Sequence, residues 1–308
     1  MKSNDVFSYM ETCISKKEKL GKDSTAELYH AVFVRLQGFW KKSTLHWSRV
    51  TGEVVDEFQA HLQEEGLQTN TVNSYLSNFR AMYNDAVKHG IATHVAPVNP
   101  FAHLQLKREK TDKRATSQKI TERIIRMDDK GSPMRRLAID CYTFCFLACG
   151  IPFVDLANLT EKNIHGDVLV YSRVKTGTRV CIGISKGMRI LIDKYRRKGS
   201  LHLFPLLPNK KKVSHKDYKK IQRQINEQLK KIGEELGQKM KLTYYVARHT
   251  WASQAHEMDI PLAAISQALG HRSEGTTLIY LAELSQEKLN KSYEMVSMSV
   301  DNLVCGRA

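Results

Sequence analysis

The sequence contains no run of about 18 apolar residues, which excludes a membrane-spanning helix. Its first residues, Met1-Lys2-Ser3-Asn4-Asp5, lead into a helical pattern with Lys16 and Lys17. They lack the apolar stretch and small-residue cleavage site of a secretory signal, so a cytoplasmic protein is expected. None of the six cysteines stands in a Cys-x-x-Cys pair, and no His or Cys has finger-like spacing, so neither a metal nor another cofactor is expected. Cys141, Cys145 and Cys149 recur every four residues in an apolar segment. They read as a buried thiol stripe on one helix face, in a reducing setting. Internal repeats and low-complexity tracts are absent. Negative charge is scarce, with 32 Asp+Glu against 48 Lys+Arg, a net charge of +16. With 42% hydrophobic and 26% charged residues the chain is globular, and 308 residues suffice for two domains. The positive excess points to a polyanion, most often nucleic acid.

That excess is unevenly placed. Residues 1–105 hold 11 basic and 11 acidic side chains, residues 106–136 hold 11 and 5, and residues 137–308 hold 26 and 16. The rise begins after Asn99-Pro100-Phe101, in a stretch without apolar periodicity that reads as an exposed basic linker over 106–116. Lys107, Arg108, Lys110, Lys113 and Arg114 are its candidate phosphate contacts. The loop lysines Lys210, Lys211 and Lys212 are further candidates.

The first domain reads as four helices near 5–20, 24–42, 53–65 and 69–89. Gly21, Gly66 and Gly90 stop three of them. Ser24 with Glu27 suggests a capping box, and Leu28, Val32, Leu36 and Trp40 an apolar stripe. In the second domain, from residue 117, helical pattern covers 118–127 and 133–149. A β-hairpin follows, with strands at 167–174 and 179–185 around Lys175-Thr176-Gly177-Thr178. Helices return at 187–197, 215–236, 244–258, 261–268 and 285–300. The fold class is mainly α (α+β), with a helical N-terminal domain and a second domain carrying a small antiparallel sheet.

Three pieces carry chemistry: Tyr245-Val246-Ala247-Arg248-His249-Thr250-Trp251-Ala252, Leu269-Gly270-His271 with Tyr280 nine residues later, and the hairpin lysine Lys175. Their order and spacing resemble the catalytic core of the tyrosine recombinases, the phage integrase family. The resemblance implies a SAM-like, core-binding DNA-binding domain over 1–105. It also implies a catalytic domain over 117–308 with a tail helix over 285–308. Arg248 would fork onto the non-bridging oxygens of a phosphodiester, and His271 would donate a further hydrogen bond to them. Tyr280 would be the nucleophile that forms a 3′-phosphotyrosine, and Lys175 the acid that protonates the departing 5′-oxygen. His249 would be a structural hydrogen-bonder. The implied partners are double-stranded DNA with inverted half-sites and further copies of the chain, a dimer on each site and a tetramer in synapsis. An accessory DNA-bending protein is an optional addition, and nucleoid association in a bacterium follows. The outcome would be integration, excision or inversion of a DNA segment.

Two positions depart from that pattern. In Cys149-Gly150-Ile151-Pro152-Phe153-Val154-Asp155-Leu156, Pro152 stands where the family has its first catalytic arginine. Tyr245 stands where it has His or Lys, and a phenol still donates one hydrogen bond. This form is similar to a branch common on mobile elements and invertible loci of the Bacteroidetes, whose members lack that arginine. Arg173, two residues from Lys175 and therefore on the same face of a continuing strand, is one candidate substitute; Arg135 or Arg136 is another. The rival readings are a non-catalytic DNA-binding factor of the same fold, a type IB topoisomerase-like enzyme and a generic nucleic-acid-binding module.

Overall fold

The computed structural model describes residues 4–92, 98–109, 114–210, 213–278, 281, 290, 297 and 298. Tyr280, Lys110, Lys113, Lys211, Lys212 and nearly all of the expected tail helix lie outside these residues. The chain divides into two compact units, Met1–Thr111 and Asp112–Ala308. Its helices and small antiparallel sheet are the α+β class expected. Among the described residues no helix is long and apolar enough to cross a membrane.

In the first unit, α1 (Val6–Lys19), α2 (Asp23–Trp40), α3 (Gly52–Glu64) and α4 (Thr69–Lys88) enclose one apolar core. Met10, Val32, Leu36, Trp47, Phe58, Leu76 and Phe79 are essentially water-free there. Asp5 caps α1 by accepting from the Ser8 amide at 2.9 Å, and Thr51 caps α3 from Val54 at 3.3 Å. Gly21, Gly66 and Gly90 have positive φ beyond the ends of α1, α3 and α4, as their spacing implies. Two expectations for α2 are corrected. The helix starts one residue before Ser24, with Lys22 at the cap position, so Ser24 caps nothing. Its inward stripe is Ala26, Tyr29, Val32 and Leu36, leaving Leu28 41% exposed. The start of the basic stretch lies along α4. Leu106 packs on the first core, and Asn73 Nδ2 donates to the Lys107 carbonyl at 2.8 Å. Asn70 exchanges two bonds with the Glu109 backbone, at 2.9 and 3.1 Å.

The second unit opens with α5 (Gln118–Ile125), α6 (Pro133–Leu147) and α7 (Phe153–Ala157). The sheet follows, with β1 (Ile164–His165), β2 (Val168–Ser172) and β3 (Arg179–Gly183) antiparallel in that order. Leu169 opposes Ile182 and Tyr171 opposes Val180, and these four side chains form its buried face. Then come α8 (Lys186–Tyr195), α9 (His215–Glu235), α10 (Tyr244–Glu257), α11 (Leu262–Leu269) and α12 (Glu274–Leu278). Serine side chains cap α5, α6, α8 and α9. The core runs from α6 through the sheet to α9 and α10. Thr250, on α10, accepts from the Thr116 amide at 3.0 Å and so fastens the segment that enters this unit. Cys141 and Cys145 are fully buried, and burial pushes the Cys145 thiol up to about 12. Cys149 is half-buried against the same core but lies beyond the helix stripe, because α6 ends at Leu147 and Cys149 has φ +52°.

The turn after α6 is tightly specified. Gly150 has φ +78°, and a Cβ there would lie 2.6 Å from Arg248 Cγ. Gly166, at φ +60°, has open space around its Cβ position. Gly150→Ala combines left-handed strain with overpacking and is expected to lose about 3 kcal/mol in denaturant unfolding. Gly166→Ala, with strain alone, is expected to lose about 1 kcal/mol. Equal losses would remove the steric argument.

Candidate active site

α10 is seated by its first residue: the Tyr244 amide donates to Asn226 Oδ1 on α9 at 2.9 Å, and the Tyr244 hydroxyl to the Ile151 carbonyl at 2.7 Å. This start directs Arg248 inward, 1% exposed, and leaves Tyr245 38% exposed, its ring edge-on to His249 at 5.2 Å. Arg248 Nη1 donates to the Gly150 carbonyl. Its Nη2 lies 2.8 Å from both the Leu269 carbonyl and His271 Nε2. A guanidinium has no acceptor, so His271 Nε2 accepts; its proton sits on Nδ1, which donates to Thr277 Oγ1 at 2.8 Å. Burial, then the charges of Arg248 and Arg173, push the His271 pKa down to about 4. The imidazole is therefore neutral near pH 7 and faces a cation with its lone pair.

Arg173 reaches the same place from the sheet. Its Nη1 donates to the Leu269 carbonyl at 2.6 Å and to Gly270 at 3.2 Å, and its Nε pairs with Asp155 Oδ2 at 2.9 Å. Asp155 Oδ1 accepts from the Val174 amide at 2.8 Å. Burial pushes the Asp155 carboxyl up, against the pull of that amide and of Arg173. The expectation that Arg173 and Lys175 share a strand face is corrected. Arg173 follows Leu169 and Tyr171 inward, 9% exposed, but β2 ends at Ser172 and the turn leaves Lys175 exposed. Arg173 is thus no surface phosphate contact of the Lys107 kind. Arg135 and Arg136 are engaged elsewhere. Arg135 holds Glu235 through two 2.9 Å bonds, and Arg136 pairs with Asp129 at 3.3 Å and donates to the Met127 carbonyl at 2.9 Å.

The structure thus brings Arg248, His271 and Arg173 together around the Leu269 carbonyl. Lys175 sits on the turn beside them, joined to the His271 loop by Arg272 Nη2, which donates to the Thr176 carbonyl. Leu281, the residue after Tyr280, is buried in a cluster with Ala252, Ala255, Ile265 and Leu269. Lys107, Arg108 and Arg114 are exposed. Lys210 is paired with Asp217 at 2.9 Å, next to the α9 cap. The sequence reading missed a net basic groove along α9, lined by Lys219, Gln222, Arg223, Asn226, Lys230 and Lys241, with Glu227 as its one acidic residue. Its signal was present, since the first five recur at helical spacing within 215–236. Among the described residues no group of three His, Cys, Asp or Glu side chains could hold a metal.

Comparison with known proteins agrees with this geometry. Residues 5–104 match the Phage integrase SAM-like domain, and residues 114–287 match the Phage integrase family. Tyrosine recombinase XerD of Oceanobacillus iheyensis is 21% identical over 267 residues, covering 82% of this chain and 84% of that protein. Among solved structures, the Tn1549 transposon integrase in complex with a circular intermediate DNA superposes with a TM-score of 0.70 at 16% identity, over 95% of this chain and all of that one. A lambda integrase tetramer bound to a Holliday junction gives 0.66 at 15% identity, over 91% of this chain and 78% of that one. At these identities the likeness shows a shared fold. The family match spans more than half of the sequence and contains every residue around the Leu269 carbonyl, and on that ground the chain belongs to the phage integrase family of tyrosine recombinases.

Proposed function

We propose that this site-specific recombinase cuts and rejoins DNA through a 3′-phosphotyrosine on Tyr280. The Tyr280 oxygen attacks the phosphorus, the bond to the 5′-oxygen breaks, and Lys175 gives that oxygen its proton. Arg248 and Arg173 hold the non-bridging oxygens. The observation that carries this reading is the convergence of Arg248 and Arg173 on the Leu269 carbonyl, with His271 held against Arg248. The burial of Leu281 against Leu269 supports it, because it anchors the residue next to Tyr280 beside that cluster. Arg173 stands in for an arginine at Pro152, a position at which the branch found on Bacteroidetes mobile elements also lacks it. Among the described residues, two guanidiniums against one carboxylate, Asp155, leave positive charge that a phosphate anion would neutralise. Preorganised donors of this kind are worth about 3–4 kcal/mol each in such a reaction. No metal or other cofactor enters this scheme.

His271 takes part as a switchable donor. With neutral imidazole and Nε2 accepting from Arg248, its hydrogen bond to phosphate requires a proton on Nε2. An arriving anion favours that proton by offsetting the two guanidinium charges. The exposed Lys107, Arg108 and Arg114 and the α9 groove would track the DNA backbone, with Tyr245 at the edge of the site. The DNA carries inverted half-sites, bound by two copies of the chain, and four copies form the synapse; an accessory DNA-bending protein would act only at sites that recruit one. The setting is the nucleoid of a bacterium. The rival of a non-catalytic DNA-binding factor rests on Pro152 and is decided by the same experiment.

That experiment is rapid denaturation of the protein on its DNA, followed by digestion and search for a nucleotide adduct on the Tyr280 peptide. Wild type is expected to give the adduct and Tyr280→Phe none. Arg248→Ala and Arg173→Ala are each expected to slow its formation about 100- to 1,000-fold. An adduct surviving in Tyr280→Phe, or tight binding of DNA with no adduct in wild type, sinks the reading. A normal rate for Arg173→Ala removes only its assignment as the substitute arginine.

Two further outcomes are measurable. The unfolded histidine titrates near 6.5 and the folded one near 4. Between these values the unfolded state binds the extra proton, so this group's contribution is full above about pH 6.5 and is lost as pH falls toward 4. His271→Asn should therefore flatten the decline of melting temperature across that window, and an unchanged slope contradicts the buried neutral imidazole. Alanine at Lys219, Arg223 and Lys230 should reduce the slope of log binding constant against log salt by about 0.9 for each DNA phosphate that is no longer neutralised. An unchanged slope takes the groove out of the DNA interface.

A further inference from the structure

Arg272 follows His271 but does not join the buried arginine pair. Its side chain crosses the surface to the hairpin turn, where Nη2 donates to the carbonyl of Thr176, the neighbour of Lys175. Among the described residues no carboxylate pairs with it. The turn is closed within itself by the Arg173 amide on the Thr178 carbonyl at 2.8 Å and the Gly177 amide on the Arg173 carbonyl at 2.7 Å. It is also fastened to the His271 loop on its buried side, where Arg173 donates to Leu269 at 2.6 Å and to Gly270 at 3.2 Å. Gly270, at φ +65°, lets this loop lie so close that a Cβ there would sit 2.7 Å from Val180 Cγ2 on β3. The segment carrying Lys175 is therefore held from beneath by Arg173 and by the Val174 amide on Asp155 Oδ1 at 2.8 Å, and from outside by Arg272. The outer contact, at Thr176, is one residue from the lysine.

We propose that Arg272 is a positioning residue, which fixes Lys175 where its ammonium delivers a proton to the departing 5′-oxygen; this rests on the reading of Lys175 as the general acid. Proton transfer requires the donor within hydrogen-bond reach of its acceptor, and a lysine on a hairpin turn meets that requirement only while the turn is held. With Arg272 removed, the turn keeps its buried fastenings at Arg173 and Val174 but loses the outer one at Thr176, so the stretch from Lys175 onward is free to shift. In the step itself the Tyr280 oxygen bonds to phosphorus and its phenol proton passes to solvent. The phosphorus–oxygen bond to the 5′-carbon breaks, and the Lys175 proton ends on that oxygen.

The test uses two DNA substrates of the same sequence, one with the natural 5′-oxygen at the scissile phosphate and one with sulfur in its place. A thiol titrates near 8.5, far below an alcohol, so the sulfur departs as thiolate without a proton donor. Arg272→Ala is expected to form the Tyr280 adduct about 10-fold or more slowly on the oxygen substrate and at the wild-type rate on the sulfur substrate. Arg272→Lys, whose ammonium also donates to a carbonyl, should recover part of the loss. Equal slowing on both substrates, or a loss confined to DNA affinity, overturns the proposal in favour of a phosphate contact or a damaged fold. Lys175→Ala separates the two levels of the argument. If sulfur rescues Lys175→Ala but not Arg272→Ala, the positioning role alone falls. If sulfur fails to rescue Lys175→Ala, the general-acid reading falls and the role of Arg272 falls with it.

Discussion

Two guanidinium groups share one main-chain oxygen, and most of the second unit is arranged to permit it. The Leu269 carbonyl receives Arg248 at 2.8 Å and Arg173 at 2.6 Å. Leu269 is the last residue of α11, and the carbonyls at a helix C-terminus carry partial negative charge and lack partners within the helix. A helix end is thus a place where two buried cations meet at reduced cost. Gly270 makes the end usable, since its left-handed backbone ends the helix. Any side chain there would strike Val180 and Arg173. His271 follows at once and accepts from Arg248. The tripeptide Leu-Gly-His is thereby explained piece by piece: a helix-end acceptor, a backbone position open to glycine, and a neutral imidazole held against a cation.

The charge balance of this centre bears on its proposed ligand. Among the described residues Asp155 is the buried carboxylate seen paired with it, and burial pushes its carboxyl up even beside Arg173. His271 adds no charge near neutrality, because the same two arginines depress it. Carbonyl dipoles absorb part of the remaining positive charge but do not cancel it. An anion that replaces a carbonyl as acceptor would gain a charge-assisted bond at each guanidinium. In the proposed reading the wider basic surface would bring a polyanion near, and the Leu269 centre would hold one of its phosphates.

Local features of this chain were legible in its sequence wherever local chemistry decides. The glycine stops of α1, α3 and α4 follow from backbone freedom, and the hairpin follows from β-rich segments around a glycine turn. Arg248, His271 and Tyr280 stood out by order and spacing. Tertiary choices were not legible. Arg135, Arg136 and Arg173 had similar standing as substitutes until their partners were known. Glu235 then accounted for Arg135, and Asp129 with the Met127 carbonyl for Arg136. The alternation argument held as far as Arg173, which follows Leu169 and Tyr171 inward, and failed at Lys175, because β2 stops at Ser172 and the turn carries that lysine outward. Ser24, Leu28 and Cys149 misled for one reason: a helix boundary or phase shifted by one or two residues redirects a side chain.

Pro152 shows why the substitution pattern is coherent. Residues 150–152 form a buried junction whose carbonyls are all claimed. Gly150 accepts from Arg248, Ile151 from the Tyr244 hydroxyl and the Cys145 thiol, and Pro152 from the Leu156 amide. A buried junction rich in acceptors has little use for another donor, and proline contributes no amide that would need a partner. Its φ of −63° also sets the chain for α7, which begins at the next residue and places Asp155 against Arg173. Under the proposed assignment of Arg173, the charge that an arginine at 152 would bring from the helix side would come instead from the sheet side, with the carboxylate that orients it supplied by the same short helix. Pro152 and Arg173 would then be two halves of one rearrangement, in which the junction keeps its shape and the cation changes its origin.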